Sequence, residues 1–134
     1  MKEPIWIDER DARTLHAKLL RLHGGAGGLR DAGLLASALA RPKQQFAYAD
    51  KLDLITMAAA YTAGIVKNHP FFDGNKRVGF VVGVLFLEIN GYHFKASEEQ
   101  AAQAVINLAA GELDEVGYVQ FLKQNVVRRR RRSR

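Results

Sequence analysis

The chain has 134 residues, contains no cysteine and carries a formal net charge of +6. This length fits one domain with a single core. The lack of cysteine excludes a disulfide scaffold and a cysteine zinc site, and it favours a reducing cytoplasm. No apolar signal segment follows Met1, and the longest uncharged apolar stretch, residues 78–87, is too short to cross a bilayer. We therefore expect a soluble, cytoplasmic protein.

The positive charge is concentrated at residues 128–134, which contain six arginines. Without those six, the 20 basic residues fall to 14 and equal the 14 acidic residues. Because arginines repel one another and have no apolar partner here, we expect a domain over residues 1–127 and a disordered tail over 128–134. Such a tail can contact nucleic acid nonspecifically, although a solvated terminus is the simpler interpretation.

Apolar residues recur at helical spacing in six segments, which predicts an all-α fold, a compact bundle of about six helices. Caps and stop signals place these helices at about 8–23, 31–41, 51–67, 74–90, 97–110 and from 114 onward. The fourth helix is apolar on every side over residues 78–87, so we expect it to be buried at the centre of the bundle.

Two segments between the helices are predicted to be irregular. Pro42 should end the second helix, and residues 42–50 should form a loop or a short flap. Gly24–Gly28 lacks the Lys-Ser/Thr of a phosphate-binding P-loop, which favours a hinge or turn.

Residues 68–77 combine groups that suit chemistry on phosphates. Gly74 and Asn75 begin a helix, whose free N–H groups and dipole favour an anion, and Lys76 and Arg77 add two cations. Beside bound phosphates, Asp73 is suited to hold Mg²⁺, which uses one or two carboxylates plus phosphate oxygens.

His69, four residues before Asp73, offers a base that titrates near neutrality. Together these groups describe phosphoryl or nucleotidyl transfer to a hydroxyl. Taken singly, each residue also has an ordinary structural interpretation. The residues alone therefore support a polar surface turn without catalytic function equally well. The other histidines, His16, His23 and His93, are expected to be structural or solvated, with His93 in a packing role, and Phe71 and Phe72 to plug the loop into the core.

The segment His69-Pro-Phe-Phe-Asp-Gly-Asn-Lys-Arg77 resembles the motif of the Fic/Doc superfamily, His-x-Phe-x-Asp/Glu-Gly/Ala-Asn-Gly/Lys-Arg. Further segments resemble its death-on-curing (Doc) branch, the toxins of toxin–antitoxin pairs: Gly28–Asp31, Leu34-Leu35, Ala38–Pro42 and Leu85–Tyr92. The similarity covers residues from about 5 to 125.

The resemblance implies a role for each motif residue. His69 would be the general base, Phe71 the anchor in the core, and Asp73 the ligand of Mg²⁺. Gly74 would let the backbone approach the phosphates of ATP, which Asn75 and Arg77 would hold. The segment 42–50 would be the flap that docks the target peptide.

The lysine at position 76 distinguishes two activities within the superfamily. Fic proteins usually have glycine there and transfer AMP, whereas the Doc branch has lysine, which implies reversed nucleotide binding and transfer of the γ-phosphate. Many Fic proteins carry a second arginine three residues after the first. This chain has Phe80 at that position, and the difference also favours a kinase. The implied target is a Ser/Thr hydroxyl, by analogy on elongation factor Tu. AMP transfer and nucleotide hydrolysis on the same site remain alternatives.

The inhibitory Ser/Thr-x-x-x-Glu-Gly/Asn pattern of many Fic proteins does not occur in this sequence. Inhibition is therefore expected from a small antitoxin whose C-terminal helix covers the site, and an exposed apolar groove would suit such a helix. A rival hypothesis is a non-enzymatic RNA-binding module that works through the arginine tail. The balanced charge of residues 1–127 and the lack of aromatic residues within the basic segment 128–134 count against this hypothesis.

Overall fold

The computed structural model describes residues 2–48 and 53–129, and it confirms the predicted all-α bundle. Within these ranges the chain forms six helices and two short strands: α1 (Glu9–His23), α2 (Ala32–Tyr48), α3 (Leu54–Asn68), α4 (Asn75–Ile89), β1 (Tyr92–Phe94), α5 (Glu98–Ala110), α6 (Glu115–Gln124) and β2 (Val126–Arg128). In the part of the chain so described, every helix is too short or too polar to cross a bilayer.

Side-chain caps set where most of the helices begin, as the sequence predicts. Asp8 and Ser97 form capping boxes at α1 and α5, and Asp114 caps α6. Asp31 accepts the Leu34 N–H at the start of α2. Each cap satisfies an N–H group that has no partner inside the helix.

The predicted central buried helix is present, but the most buried helix is α3 rather than α4. Every residue from Met57 to Val66 is buried, and α3 contacts α2, α4, α5 and α6. On α4, by contrast, Val81, Val84 and Leu85 are only half-buried. The small residues of α3, above all Ala58–Ala60, allow neighbouring helices to approach it from several sides.

The helix α2 continues through Pro42 to Tyr48, so the prediction that Pro42 ends it is wrong. Pro42 is buried, and Phe46 packs edge-on against Trp6 with ring centroids 5.7 Å apart. Burial of these side chains outweighs the one backbone hydrogen bond that a proline removes. The predicted flap over 42–50 is thus helical as far as Tyr48, and residues 49 and 50 lie outside the described residues.

The two strands were not predicted, and they extend the ordered domain beyond residue 127. β1 and β2 pair antiparallel, with Tyr92 opposite Arg128. The next residue, Arg129, donates its N–H to the Gly91 carbonyl oxygen at 2.8 Å. The prediction of a disordered tail is therefore wrong for Arg128 and Arg129, while residues 130–134 lie outside the described part.

Asp53 caps the central helix and gives a test of its stability. Its carboxylate accepts the Thr56 N–H at 2.7 Å and lies 3.6 Å from the Lys123 ammonium. Partial burial raises the pKa of Asp53, but the bonds from Thr56 and the Lys123 charge together leave this pKa below its ordinary value. A lowered folded-state pKa contributes stability above the ordinary pKa of the carboxyl, and this is lost as pH falls through the folded-state value.

We expect Asp53→Ala to lower the free energy of unfolding at pH 7 by about 1 kcal/mol, since it removes a cap. The difference from wild type should shrink as the pH falls below about 4, the ordinary pKa of an aspartate, because the unfolded chain then takes up a proton more readily than the folded protein does. Urea denaturation across this pH range measures both effects. Asp53→Asn keeps the acceptor and should cost less at pH 7. Equal losses in the two variants at every pH would contradict this account.

Candidate active site

The motif loop, residues 69–77, begins with a left-handed turn at the end of α3. His69 has φ 54° and donates its N–H to the Ile65 carbonyl oxygen at 3.0 Å. Among the described residues it is the one non-glycine residue with positive φ. Since this conformation costs an L-residue on the order of 1 kcal/mol, its surroundings must hold it. The turn directs the chain away from the helix axis and leaves the His69 side chain exposed.

The segment before α2 supplies the groups that hold this turn. The Arg30 guanidinium donates to the carbonyl oxygens of His69 at 2.7 Å and of Asn68 at 3.0 Å. The backbone N–H groups of Arg30 and Asp31 both donate to the Pro70 carbonyl oxygen. Arg30 thereby satisfies carbonyls at the end of α3, where a cation is also favoured by the helix dipole.

Phe71 anchors the loop in the core, as predicted. It is 1% exposed, forms an antiparallel bridge with Leu29, and stacks on the ring of His16 with centroids 3.8 Å apart. Phe72, which was expected to pack with it, is instead 56% exposed. The loop is therefore held by one aromatic side chain and presents the next one to solvent.

Asn75 closes the loop through its side chain. The Phe71 N–H donates to Asn75 Oδ1 at 3.0 Å, and Asn75 Nδ2 donates to the Phe71 carbonyl oxygen at 2.9 Å. The residue is 4% exposed. Its Oδ1 and one of its two Nδ2 protons are thus committed to the loop, and its backbone N–H has no acceptor within the helix.

The N-terminus of α4 carries no side-chain cap, unlike those of α1, α3, α5 and α6. Its N-cap is Gly74, in the left-handed conformation with φ 79°, and the first intrahelical bond runs from the Val78 N–H to the Gly74 carbonyl oxygen. The N–H groups of Asn75, Lys76 and Arg77 therefore have no intrahelical acceptor. The side chains of Lys76 and Arg77 are exposed. Free N–H groups, the helix dipole and two cations together favour an anion at this point.

Asp73 lies beside that helix terminus with its side chain exposed. Its Oδ1 accepts the Gly74 N–H at 2.8 Å, and its Oδ2 accepts the Ala26 N–H at 3.3 Å. A Cβ placed on Gly25 would lie 2.7 Å from Asp73 Oδ2. The glycine run Gly24–Gly28 is therefore more than the predicted turn, because it brings the backbone N–H of Ala26 against the Asp73 carboxylate.

The donor set fits a magnesium ion that is shared with phosphates. No cluster of three or more His, Asp or Glu side chains occurs in the described ranges that could hold a metal without other ligands. A Mg²⁺ ion bound mainly by phosphate and water takes one or two carboxylates from the protein, and the uncapped helix N-terminus beside Asp73 favours the phosphates. Asp73 can serve as its protein ligand.

A mostly apolar groove of about 470 Å³ opens next to the motif loop. Lys76 and Arg77 line it together with residues of α4, β1 and α5, among them Phe80, Val84, Phe94, Ala101, Val105 and Ile106. Ile106 is 48% exposed. The groove therefore joins an apolar surface to the two cations of the motif.

The remaining histidines have different surroundings. His23 is exposed at the end of α1. His93 is exposed and its Nδ1 lies 3.0 Å from Glu88 Oε2, so its predicted packing role is wrong. His16 is buried, and its Nε2 lies 2.8 Å from the Asp73 carbonyl oxygen. Sequence reasoning missed this contact because 57 residues separate the two positions.

The structure distinguishes Asn75, which is buried and shapes the loop, from Arg77, whose side chain is exposed. We expect Asn75→Ala to lower the free energy of unfolding by about 2–6 kcal/mol, because it leaves the Phe71 N–H and carbonyl buried without partners at about 1–3 kcal/mol each. Arg77→Ala, which removes an exposed side chain, should change it by less than about 0.5 kcal/mol. Urea denaturation of the two variants tests the distinction, which fails if Asn75→Ala is as stable as wild type.

A family model described as the Fic/DOC family matches residues 6–87, which include the whole motif loop. The chain is also similar to two curated proteins. "Protein kinase doc" of Escherichia phage P1 is 30% identical over 107 residues, which cover 80% of this chain and 84% of that protein. "Toxin Doc" of Mycolicibacterium smegmatis is 39% identical over 92 residues, which cover 68% of each chain.

Proposed function

The chain belongs to the Fic/DOC family, and from this premise we propose that it is a toxin that transfers the γ-phosphate of ATP to a serine or threonine hydroxyl of a protein. One observation carries the proposal. The uncapped N-terminus of α4, with Lys76 and Arg77 exposed, directly follows a loop that exposes His69 and Asp73. An anion site, a metal ligand and a base are thus contained in nine consecutive residues, 69–77.

The phosphates would lie against the free N–H groups of Asn75, Lys76 and Arg77, with the two cations neutralising their charge. Gly74 carries no side chain that could obstruct this approach. Asp73 would hold Mg²⁺, which supplies charge neutralisation on the phosphate oxygens when it is bound. Positioning and electrostatic stabilisation are the main contributions that phosphoryl transfer requires from a protein.

His69 would act as the general base in this reaction. The target hydroxyl oxygen forms a bond to the γ-phosphorus while the bond from that phosphorus to the departing ADP oxygen breaks. The hydroxyl proton passes to a ring nitrogen of His69. The left-handed turn and the Arg30 bonds to the adjoining carbonyls fix the backbone from which this ring projects.

Lys76 supports phosphoryl transfer rather than AMP transfer. It lies in the first turn of α4, beside the proposed phosphate site, at the position where Fic proteins that transfer AMP usually have glycine. A cation there suits a nucleotide that presents its terminal phosphate to the loop. The name of the phage P1 relative, "Protein kinase doc", agrees with this choice. By the same analogy, elongation factor Tu in the bacterial cytoplasm is the first target to test.

Parallel incubation with γ-labelled and α-labelled ATP separates the two activities. We expect Mg²⁺-dependent label on purified elongation factor Tu from γ-labelled ATP only. His69→Ala should reduce this by about 100- to 10,000-fold, the usual contribution of a positioned base. His23→Ala, at another exposed histidine, should retain it. Lys76→Gly should reduce phosphorylation while leaving the base in place.

Two results would contradict parts of this proposal. Label from α-labelled ATP alone would replace the kinase by an AMP transferase on the same site. Undiminished activity of His69→Ala would remove the site assignment as well.

We further propose that a helix of a small antitoxin covers the apolar groove and inhibits the toxin. The groove adjoins Lys76 and Arg77, so a helix with an apolar face and an acidic residue would complement it. The name "Toxin Doc" of the Mycolicibacterium smegmatis relative supports a toxin with a cognate inhibitor.

We expect the chain to arrest bacterial growth when expressed alone, and co-expression of its antitoxin, to be sought as a short reading frame next to its gene, to restore growth. Ile106→Glu should keep the toxicity but escape this protection, because it places a charge in the groove. Val116→Glu, at an exposed apolar residue that does not line the groove, should remain protected. Equal protection of both variants would contradict the groove as the binding site.

A further inference from the structure

We propose that His16 is a positioning residue for Asp73, the residue that holds the metal in the proposed function on which this inference rests. His16 lies in α1 and is 5% exposed. Its Nε2 lies 2.8 Å from the Asp73 carbonyl oxygen. A carbonyl oxygen only accepts hydrogen bonds, so Nε2 carries the proton and donates it.

The His16 ring is fixed in two directions. Its edge is bonded to Asp73, and its face stacks on Phe71 with centroids 3.8 Å apart and planes 12° from parallel. Phe71 is itself buried and bonded to Asn75. Because rotation of the imidazole would break both contacts, the donor points at Asp73 with little freedom.

The bond to the carbonyl oxygen also determines where the carboxylate points. The Asp73 carbonyl and the Gly74 N–H belong to one planar peptide group, so fixing the first fixes the direction of the second. That N–H donates to Asp73 Oδ1 at 2.8 Å. Glycine at 74 would otherwise allow this peptide plane to turn easily. The bond from His16 therefore orients the carboxylate through the Gly74 N–H.

The chain that follows α1 acts on the other carboxylate oxygen. The Ala26 N–H donates to Asp73 Oδ2 at 3.3 Å. Gly25 permits this approach, since a Cβ at that position would lie 2.7 Å from the same oxygen. Helix α1 and the glycine run thus hold Asp73 by its backbone and by its side chain. An exposed carboxylate is thereby preorganised for a metal before the nucleotide arrives.

Two substitutions separate the hydrogen bond from the packing of the ring. His16→Phe keeps a buried ring against Phe71 but removes the donor. His16→Gln keeps a donor but removes the ring. If His16 served only to fill space, His16→Phe would be the milder change. If it positions Asp73, His16→Gln is the milder change for metal binding, whatever the relative stabilities of the two variants.

The binding experiment uses the His69→Ala background, so that ATP is not consumed. Calorimetry gives the Kd for ATP with Mg²⁺ and the Kd with EDTA. The ratio of the two values measures how much the metal increases the affinity for ATP, which we call the metal-dependent gain. We expect His16→Phe to reduce this gain by about 2- to 10-fold, which corresponds to one hydrogen bond. The affinity in EDTA should stay within twofold, and His16→Gln should retain most of the gain. His23→Phe, at an exposed histidine of the same helix, should retain all of it.

A second measurement needs no ligand. Hydrogen exchange followed by NMR on the metal-free protein should show faster exchange of the Gly74 N–H in His16→Phe than in His16→Gln. This result tests the position of the loop even if the wild-type chain binds no ATP, an outcome that would refute the proposed function alone. Equal exchange at Gly74 and an equal metal-dependent gain in His16→Phe and wild type would overturn the role of His16.

The glycine run offers an independent variant if His16→Phe fails to fold. Gly25→Ala pushes a methyl group against Asp73 Oδ2 and should reduce the metal-dependent gain. Gly24→Ala is the matched control, because Gly24 also has positive φ but a Cβ there meets no atom within 4 Å. Equal effects of the two substitutions would attribute the loss to backbone strain and count against the proposal.

Discussion

The reciprocal pair of hydrogen bonds between the Asn75 side chain and the Phe71 backbone is the interaction on which the site depends. It joins the first residue of α4 to the loop residue buried in the core. Without it, the Phe71 N–H and carbonyl would be buried without partners, a cost of about 1–3 kcal/mol for each such group. The bonds fix the span between these residues, which is where Asp73 and Gly74 lie. The placement of the exposed Asp73 side chain thus depends on buried contacts of the Asn75 amide.

The electrostatics of the site are local. The body of the chain has balanced charge, so attraction for an anion comes from Lys76, Arg77 and the free N–H groups at the start of α4. At most of the other helices, an aspartate or serine side chain at the cap accepts a hydrogen bond from one of the first N–H groups. At α4 a glycine takes the cap position, and the terminus stays available to a ligand. The absence of a stabilising cap at this one helix is therefore consistent with a binding function.

Local signals in the sequence predicted the helices well, and distant contacts account for the errors. Asp8, Asp31, Ser97 and Asp114 marked helix starts correctly because a cap and its N–H partner lie within three residues. The continuation of α2 through Pro42 depends on packing of Phe46 on Trp6, far away in the chain. The central position of α3 follows from its small residues, whose burial a hydrophobic pattern understates. The β1–β2 pair is too short to leave a periodic signal.

The same division holds within the site. The sequence motif placed His69, Asp73, Lys76 and Arg77 together, since all four lie within nine consecutive residues. It could not show what holds them, because His16, Ala26 and Arg30 reach the loop from elsewhere in the chain. None of these three carries a spacing that indicates its partner. The contacts that hold this loop come from α1 and the segment before α2, so substitutions there should alter the proposed metal binding without touching the motif.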